Sequence, residues 1–460
     1  MPSTETETEG FTITVTSSGA QLAAASPAGL VRAAAALDQL RDAAGTAPLG
    51  EWRGDAPAHS WRGLMLDVAR HFRPVDDVER ILLLMARHRL NVLHLHLTDD
   101  QGWRYEVAGY PRLTTVGATR IETQRGHGPQ SQVVAGDHAG FYTRADLVRI
   151  VAYAERLHIT VVPEAEFPGH VQAAIAAYPE LATATEAPTV PWPKFGLNPH
   201  TLNLRPETLE FCRAAIAALV DVFPSPWIGV GGDEVPTAQW AADPATAARM
   251  AELGIADIHD VQPWFTAQLV TMVEELGRTP YAWDEVLAGP VDTSMLIGIW
   301  RGPVAARVAH NRGHEFIWCS DMEAYLDYRR GEGTDEPTPV GPPLTVEDAW
   351  QFRVSEGARG GQANVWTEHL PTRDRVDFAL FPRLAVIAER LWAGGEPGEW
   401  NSFAGALSTH IERLAEWGVA YRPQDGPRPA QRTPGMPGVP RSREEREAIV
   451  ADLVSDIIDV

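Results

Sequence analysis

Eight short apolar segments, spread through the middle of the chain, constrain its fold more than any other feature of the sequence. Most of them are continuous apolar runs, which is typical of parallel strands that are covered on both faces. Segments long enough for helices separate them, and segment 76–88 has apolar side chains at helical spacing. The eight predicted strands are 61–68, 91–97, 159–166, 227–232, 280–284, 295–300, 315–319 and 361–366.

This alternation predicts an α/β fold, a (β/α)8 barrel of the TIM type, with a doubly wound parallel sheet as the competing architecture. Residues 1–55 are expected to form a short N-terminal α+β appendage, and residues 56–421 the barrel. Residues 422–460 are expected to form a proline-rich strap and a C-terminal helix, which begins at a capping-box pattern from Ser442 to Glu445. That helix could pack on its own barrel or on a second copy of the chain, so a homodimer is one option.

The charge balance narrows the classes of partner. The 460 residues include 61 Asp and Glu but only 39 Lys and Arg, which gives a formal net charge of -22. Because phosphate binding needs a basic face, this charge argues against a nucleic-acid partner, and it does not favour anionic membranes. No apolar stretch of about 18 residues predicts a membrane span. Residues 1–10 lack the pattern of a secretory signal, so we expect a cytoplasmic protein.

Polar and aromatic side chains follow each predicted strand at its carboxyl end. In a barrel these ends meet on one face, where active sites lie, so the sequence predicts a single convergent site. Its tryptophans could serve as platforms for the C–H faces of sugar rings. In strand order, the residues are Asp67 and Arg70; His94, His96 and Asp99; Glu164, Glu166 and His170; Asp233 and Glu234; Trp283, Asp284 and Glu285; Trp300 and Arg301; Asp321, Tyr325 and Asp327; Trp366 and Glu368.

Two adjacent carboxylates, Asp233 and Glu234, follow the fourth strand and two glycines. Side chains on a strand alternate in direction, so both can reach one site only if the strand breaks there, and the glycines make such a break easy. A carboxylate pair of this kind suits acid–base chemistry, in which one group stays protonated and the other ionised. The structural alternative is a helix N-cap Asp followed by a first-turn Glu.

Seven motifs in residues 60–420 carry a family resemblance. They are Arg62-Gly-Leu-Met-Leu-Asp67 with Arg70-His71-Phe72, His94-Leu-His96-Leu-Thr-Asp99-Asp100-Gln101-Gly-Trp103, Pro168-Gly169-His170, Gly231-Gly232-Asp233-Glu234, Trp283-Asp284-Glu285, Tyr325-Leu-Asp327 and Trp366-Thr-Glu368. In combination they resemble glycoside hydrolase family 20, the β-N-acetylhexosaminidases. The resemblance implies a retaining exo-enzyme that removes terminal β-linked GlcNAc or GalNAc from carbohydrates, chitin fragments among them, without cofactor or metal. It also implies that the N-terminal appendage is a truncated form of the small domain that precedes the barrel in this family.

The same resemblance implies catalytic roles. The family departs from the usual retaining scheme, because the 2-acetamido group of the substrate replaces the enzyme nucleophile. Glu234 is then the general acid, which later activates water, and Asp233 orients the acetamido N–H and stabilises its developing charge. Tyr325 donates to the acetamido carbonyl oxygen. Asp99 and His170 form a pair behind the acid and tune it.

The remaining implied roles concern substrate binding. Three tryptophans are expected to wall the acetamido group, and one cation with two carboxylates is expected to clamp the sugar hydroxyls. Each has a structural alternative, since a tryptophan can be core and an arginine can pair with a structural carboxylate. The walls are Trp283, Trp300 and Trp366, and the clamp is Arg70, Asp327 and Glu368.

Two other functions are weighed against this one. His94 and His96 lie one residue apart at a strand end, as the ligands of metal-dependent barrel hydrolases do. Later strand ends carry carboxylates and tryptophans instead of the further histidines that such a site needs. A non-catalytic carbohydrate-binding barrel is the other alternative, and the presence of both Asp233 and Glu234 argues against it. The family commonly has His at position 229 and Asp at position 166, where this chain has Gly229 and Glu166.

Overall fold

The computed structural model describes residues 9–458 except 43–44, 55 and 334–335. Eight parallel strands close into one barrel, and the first strand pairs with both the second and the eighth. The eight predicted strands are therefore confirmed, with shorter bounds in most cases. The barrel strands are Trp61–Asp67, Val92–His96, Thr160–Glu164, Trp227–Gly229, Thr279–Trp283, Leu296–Ile299, Phe316–Trp318 and Gly360–Val365.

Helices pack around this barrel and bury the apolar faces that the sequence predicts. The helix after the first strand buries Val78, Ile81, Leu82 and Met85 against the sheet. Regular alternation fails twice, because the fifth strand is followed only by the short 3-10 helix Asp284–Ala288 and the seventh by short helices. The longer helices of the barrel are Val75–Arg87, Arg144–Arg156, Pro206–Val222, Val261–Glu275, Pro303–Asn311, Arg383–Ala393 and Trp400–Glu416.

Shorter elements fill the connections between these. The predicted long connection at 105–140 contains an antiparallel hairpin, Thr119–Arg125 with Gln132–Ala139, which the sequence reading missed because its strands are polar. The other short helices are Arg112–Thr115, Gln172–Ala177, Pro179–Leu181, Ala238–Ala242, Pro244–Leu253, Ile258–Asp260, Asp321–Ala324, Val346–Trp350, Arg373–Leu380 and Pro429–Gln431. Thr98–Asp99 pairs with Gly102–Trp103.

The N-terminal appendage is a three-stranded antiparallel sheet with one helix. Its strands are Phe11–Thr16, Gly19–Ala24 and Gly50–Gly54, and its helix is Pro27–Leu40. A buried ion-pair cluster joins it to the barrel: Glu9 Oε2 lies 2.8 Å from Arg32 Nε and 2.7 Å from Arg62 Nη2. Since burying one of these charges alone would be costly, the cluster fixes the appendage against the first strand.

The C-terminal helix begins, as predicted, at a capping box in which the Ser442 side chain accepts from the Glu445 N–H. It spans Arg443–Leu453, and Ser455–Ile458 follows it. The structure places it on its own barrel, and Val439–Pro440 pairs in parallel with Val340–Gly341 of the loop after the seventh strand. Among the described residues, no helix is both long enough and apolar enough to cross a bilayer.

Candidate active site

The fourth strand breaks immediately before the carboxylate pair. It ends at Gly229, and the backbone φ angles of Gly231, Gly232 and Glu234 are +72°, +92° and +49°. A Cβ atom at position 231 would meet the carboxyl group of Glu166, so a side chain there would require that carboxyl group to move. Because of the break, Asp233 and Glu234 do not diverge as neighbours on a regular strand would.

His170 joins these two carboxylates to a buried acidic pair on the second strand's loop. Its Nε2 atom lies 3.6 Å from an oxygen of Asp233 and 3.6 Å from an oxygen of Glu234. Its Nδ1 atom lies 3.3 Å from Asp99 Oδ1 and 3.4 Å from Asp100 Oδ2. Burial alone would lower the pKa of His170, but the nearby carboxylates of Asp99 and Asp100 raise it well above its usual value. The ring is therefore an imidazolium between two acidic pairs.

The pKa values of the carboxyl groups around His170 move in opposite directions. Burial would raise the pKa of Asp99, but Arg70 and His170 hold it well below its usual value. Burial raises the pKa of Asp233, and the charge of Glu234 raises it further against the opposing effect of His170. Burial and the charge of Asp233 raise the pKa of Glu166 well above its usual value. The site thus contains carboxyl groups that differ in their affinity for a proton, as acid–base chemistry requires.

Arg70 links the acidic pair to the sugar clamp predicted from the sequence. Its Nη2 atom lies 2.7 Å from Asp99 Oδ2, and its guanidinium carbon lies 4.8 Å from the centroid of the Trp366 ring. Burial raises the pKa of Glu368, although the charge of Arg70 opposes this rise. Burial and the charge of Glu368 raise the pKa of Asp327 to about 7. Arg70, Asp327 and Glu368 therefore form one electrostatically coupled group at the pocket.

The three predicted tryptophans and Tyr325 form a continuous aromatic wall. The ring centroids of Trp283 and Trp366 are 5.9 Å apart, and those of Trp366 and Tyr325 are 6.2 Å apart. Tyr325 stacks on Trp300 at 6.3 Å, and the indole N–H of Trp300 donates to Glu285 at 3.0 Å. Burial raises the pKa of Tyr325 well above its usual value, so its hydroxyl stays a neutral donor.

These side chains surround one cavity of about 260 Å³ at the carboxyl ends of the strands. This volume is just below the range of about 300–1,000 Å³ that is usual for the pockets of drug-sized ligands, and it suits a single sugar unit. Nine of the eleven predicted site residues line it, and Asp99 and His170 lie behind them. Other residues that line the cavity were not predicted from the sequence, among them His127, Phe195, Tyr328, Arg330, Thr338, His369 and Arg446.

The pair His94 and His96, which could have been metal ligands, is bound to carboxylates. His96 Nδ1 lies 2.6 Å from Glu164 Oε1 and His96 Nε2 lies 3.0 Å from Asp99 Oδ2. Burial would lower the pKa of His96, but these hydrogen bonds raise it to about 9. Its ligand atoms lie within 4.8 Å of those of Glu164 and Glu166, so a metal would fit sterically. A metal would have to displace the imidazole proton and both hydrogen bonds of His96, and without one the cluster is an ion-pair network.

Gly229, one of the two departures from the family pattern, makes room for Glu164. A Cβ atom at position 229 would lie 2.6 Å from the Cβ atom of Glu164, closer than packed side chains approach. Glu164 in turn contacts both histidines, with His94 Nε2 at 3.2 Å from its Oε2. The glycine therefore leaves room for the Glu164 side chain in the barrel interior.

Comparison with known proteins agrees with this geometry. A family model described as the catalytic domain of glycosyl hydrolase family 20 matches residues 59–395. A β-hexosaminidase of Porphyromonas gingivalis is 34% identical over 78% of this chain, which spans 46% of that relative's length. A β-hexosaminidase of Akkermansia muciniphila is 33% identical over 88% of this chain and 83% of the relative.

A solved structure leads to the same family. The exo-β-N-acetylglucosaminidase of Vibrio harveyi, in complex with N-acetylglucosamine, superposes with a TM-score of 0.79 at 30% identity. The superposition covers 90% of this chain and 68% of the Vibrio harveyi chain. Because the family model covers more than half of the chain, and the matched residues include the carboxylate pair and the aromatic wall, the chain belongs to glycosyl hydrolase family 20.

Proposed function

We propose that this protein is a retaining exo-β-N-acetylhexosaminidase that removes terminal β-linked GlcNAc or GalNAc by substrate-assisted catalysis. The observation that carries the proposal is the placement of Asp233 and Glu234 beside one imidazolium, at the edge of a closed aromatic wall. A wall of that kind fits an acetamido group, whose methyl is apolar and whose amide needs only two polar partners.

In the first step, the acetamido carbonyl oxygen attacks the anomeric carbon and the glycosidic carbon–oxygen bond breaks. The leaving oxygen takes its proton from Glu234, and an oxazolinium ion remains bound. Asp233 accepts a hydrogen bond from the acetamido N–H and stabilises the positive charge that spreads over this group. Tyr325 donates to the carbonyl oxygen and fixes its direction of attack, because an intramolecular nucleophile is effective only when it is oriented.

In the second step, the Glu234 carboxylate takes a proton from water as the water attacks the anomeric carbon. The bond between the carbonyl oxygen and the anomeric carbon breaks, and the acetamide is restored. Two displacements at one carbon retain the β configuration. Arg70, Asp327 and Glu368 clamp the ring hydroxyls through both steps, while His170 contacts both Asp233 and Glu234.

A substrate panel tests the proposal. The panel contains the 4-nitrophenyl β-glycosides of N-acetylglucosamine, N-acetylgalactosamine and glucose. Because these differ at the 2-position or at the 4-hydroxyl, the panel distinguishes the effect of the acetamido nucleophile from the effect of the clamp on the sugar hydroxyls. We expect turnover of both N-acetyl sugars and almost none of the glucoside, and strong inhibition by a thiazoline mimic of the oxazolinium ion. Equal hydrolysis of the glucoside and its N-acetyl analogue would contradict the proposal.

A further inference from the structure

The C-terminal segment, residues 436–458, lies across the catalytic face although the family match ends at residue 395. Three loops of the barrel donate hydrogen bonds to this segment. The Pro437 carbonyl accepts from the His127 N–H at 2.8 Å, and the Arg441 carbonyl accepts from Arg329 Nη2 at 2.8 Å. Farther along, the Leu453 carbonyl accepts from Arg301 Nη1 at 2.5 Å, directly after the sixth strand.

Arg446 is the residue through which this segment reaches the pocket. It belongs to the helix Arg443–Leu453 and is one of the side chains that line the cavity. Its Nε atom donates to Asp321 Oδ2 at 2.6 Å, and the Tyr328 hydroxyl donates to the same oxygen at 3.1 Å. Its guanidinium carbon lies 5.9 Å from the centroid of the Trp300 ring, within the range of a cation–π contact.

Three groups contact the side chain of Trp300 and hold it in place. Glu285 accepts from its indole N–H, Tyr325 stacks on it, and the guanidinium group of Arg446 contacts its ring. The first two contacts come from inside the matched catalytic region, and the third comes from outside it. Each of these groups can restrict a different motion of the ring, so removing one leaves the wall attached but less confined.

We infer that Arg446 is a positioning residue that fixes the Trp300 wall and thereby sets which N-acyl groups the pocket accepts. The inference rests on the proposed function, in which Trp300 encloses the acetamido group of the substrate. Arg446 acts through Trp300 and takes no part in proton transfer.

The charge of Arg446 also matters for the residues behind the wall. Asp321 is buried, and its Oδ1 atom has no hydrogen-bond partner within the described part of the chain. Without Arg446 this carboxylate would lose its counter-charge, and the anchor that it shares with Tyr328 would weaken. The ring of Trp300 would then gain room to move away from the cavity, and the space beside the acetamido methyl would widen.

This movement has a specific kinetic signature. A looser wall holds the acetyl group less well, and poor orientation of an intramolecular nucleophile lowers kcat. A longer acyl chain, which the fixed wall excludes, would fit the widened space. The ratio of activities on long-chain and acetyl substrates therefore reports the position of the wall, whereas a general loss of stability would lower all activities together.

The experiment compares Arg446→Met and Arg446→Lys with Arg443→Met on the same helix. Arg443 is half-exposed, pairs with Glu447 at 3.4 Å and lies outside the cavity lining, so it is a matched control. The kcat and KM values are measured for 4-methylumbelliferyl glucosaminides that carry N-acetyl, N-propionyl and N-butanoyl groups. Thermal unfolding of each variant is recorded in parallel.

We expect Arg446→Met to lower kcat on the N-acetyl substrate by about tenfold, within the ~10²-fold range for small misplacements, and to raise the butanoyl-to-acetyl ratio of kcat/KM by a similar factor. Arg446→Lys should give an intermediate ratio, because lysine keeps the charge beside Asp321 but loses the planar group that stacks. Arg443→Met should keep the wild-type ratio. If Arg446→Met does not fold, the Lys variant alone supplies the test.

A uniform loss on all three substrates, or an unchanged acyl ratio in the folded variants, would overturn the inference. The same ratio change in Arg443→Met would also overturn it, since the effect would then belong to the helix as a whole. These outcomes differ from failure of the proposed function, which would appear in the wild-type protein as hydrolysis that does not depend on the acetamido group.

Discussion

The Nε2 atom of His170 lies 3.6 Å from the Oε2 atom of Glu234, within ion-pair distance of the proposed acid. On the opposite side of the ring, Asp99 and Asp100 keep the imidazole protonated. His170 therefore lies between the buried acidic pair and the two carboxylates to which the proposed mechanism assigns the chemistry.

Replacing Glu234 by Gln should remove most turnover while leaving the fold and substrate binding intact. General acid catalysis contributes a factor of about 10² to 10⁴, so kcat should fall by that amount. The loss should be larger for alkyl glycosides than for 4-nitrophenyl glycosides, because a good leaving group needs less protonation. Steady-state kinetics on both substrates would check this, and an unchanged kcat on the poor leaving group would rule out the assignment.

Replacing Asp233 by Asn should slow N-acetyl substrates by an electrostatic amount, on the order of 10² to 10³ for one lost stabilising group. If Asp233 only orients the acetamido group, the Asn and Ala variants should form no glycosyl azide of inverted configuration when azide is added. NMR of the first turnovers of the wild-type protein should show a β product. A sugar ester trapped on Asp233, detected by mass spectrometry, would show that the carboxylate is itself the nucleophile.

Removal of divalent metal ions should leave activity unchanged. The ring nitrogens of His96 lie 2.6 Å from Glu164 Oε1 and 3.0 Å from Asp99 Oδ2, and with a pKa of about 9 a metal would have to displace a proton as well as these contacts. Activity is measured after dialysis against EDTA and again after addition of zinc or magnesium. Loss with EDTA and recovery with zinc would favour the metal-hydrolase alternative.

The unliganded protein should become less stable as the pH rises from about 4 to 7, in part because of Asp327. Its pKa is raised from 3.8 to about 7, so the folded protein binds this proton more tightly than the unfolded chain does. That contribution is complete below pH 4 and is lost as the pH passes 7. Asp327→Asn removes it, so the free energy of unfolding of the variant relative to wild type should rise by about 2 kcal/mol between pH 5 and 8.

Urea unfolding of both proteins at the two pH values measures this difference. The same variant should raise KM, because one acceptor of the sugar clamp becomes an amide. A relative stability that does not change with pH would mean that Asp327 does not titrate in this range.

Replacing Gly229 by Ala should destabilise the barrel by about 1–3 kcal/mol, the usual cost of overpacking a core. The new methyl group would lie 2.6 Å from the Cβ atom of Glu164. Gly398→Ala is the control, because nothing lies within 4 Å of a Cβ atom at that position. Equal unfolding midpoints for the two variants would show that the interior yields to the added methyl.

The barrel and most of the pocket could be predicted from the sequence. The carboxyl ends of barrel strands meet on one face, whatever the length and path of the segments that connect them. Trp283 and Glu368 are distant in sequence, yet Trp283 ends the fifth strand, Glu368 follows the eighth, and both line the cavity. The reduced connection after the fifth strand was not predicted, since regular alternation implies a full helix there. Arg446 could not be predicted either, because an amphipathic helix beyond the barrel carries no local signal of the face on which it docks.

The order in which the ribosome makes these parts has a consequence for the pocket. The last barrel strand ends at Val365, and Arg446 is added about 80 residues later, which takes roughly 4–16 s at 5–20 residues per second. From residue 368 onward the nascent chain contains the acid, the clamp and all three tryptophans. Arg446 is therefore added only after the acid, the clamp and the three tryptophans have been made, so the acyl selectivity that we infer is acquired later than the catalytic residues.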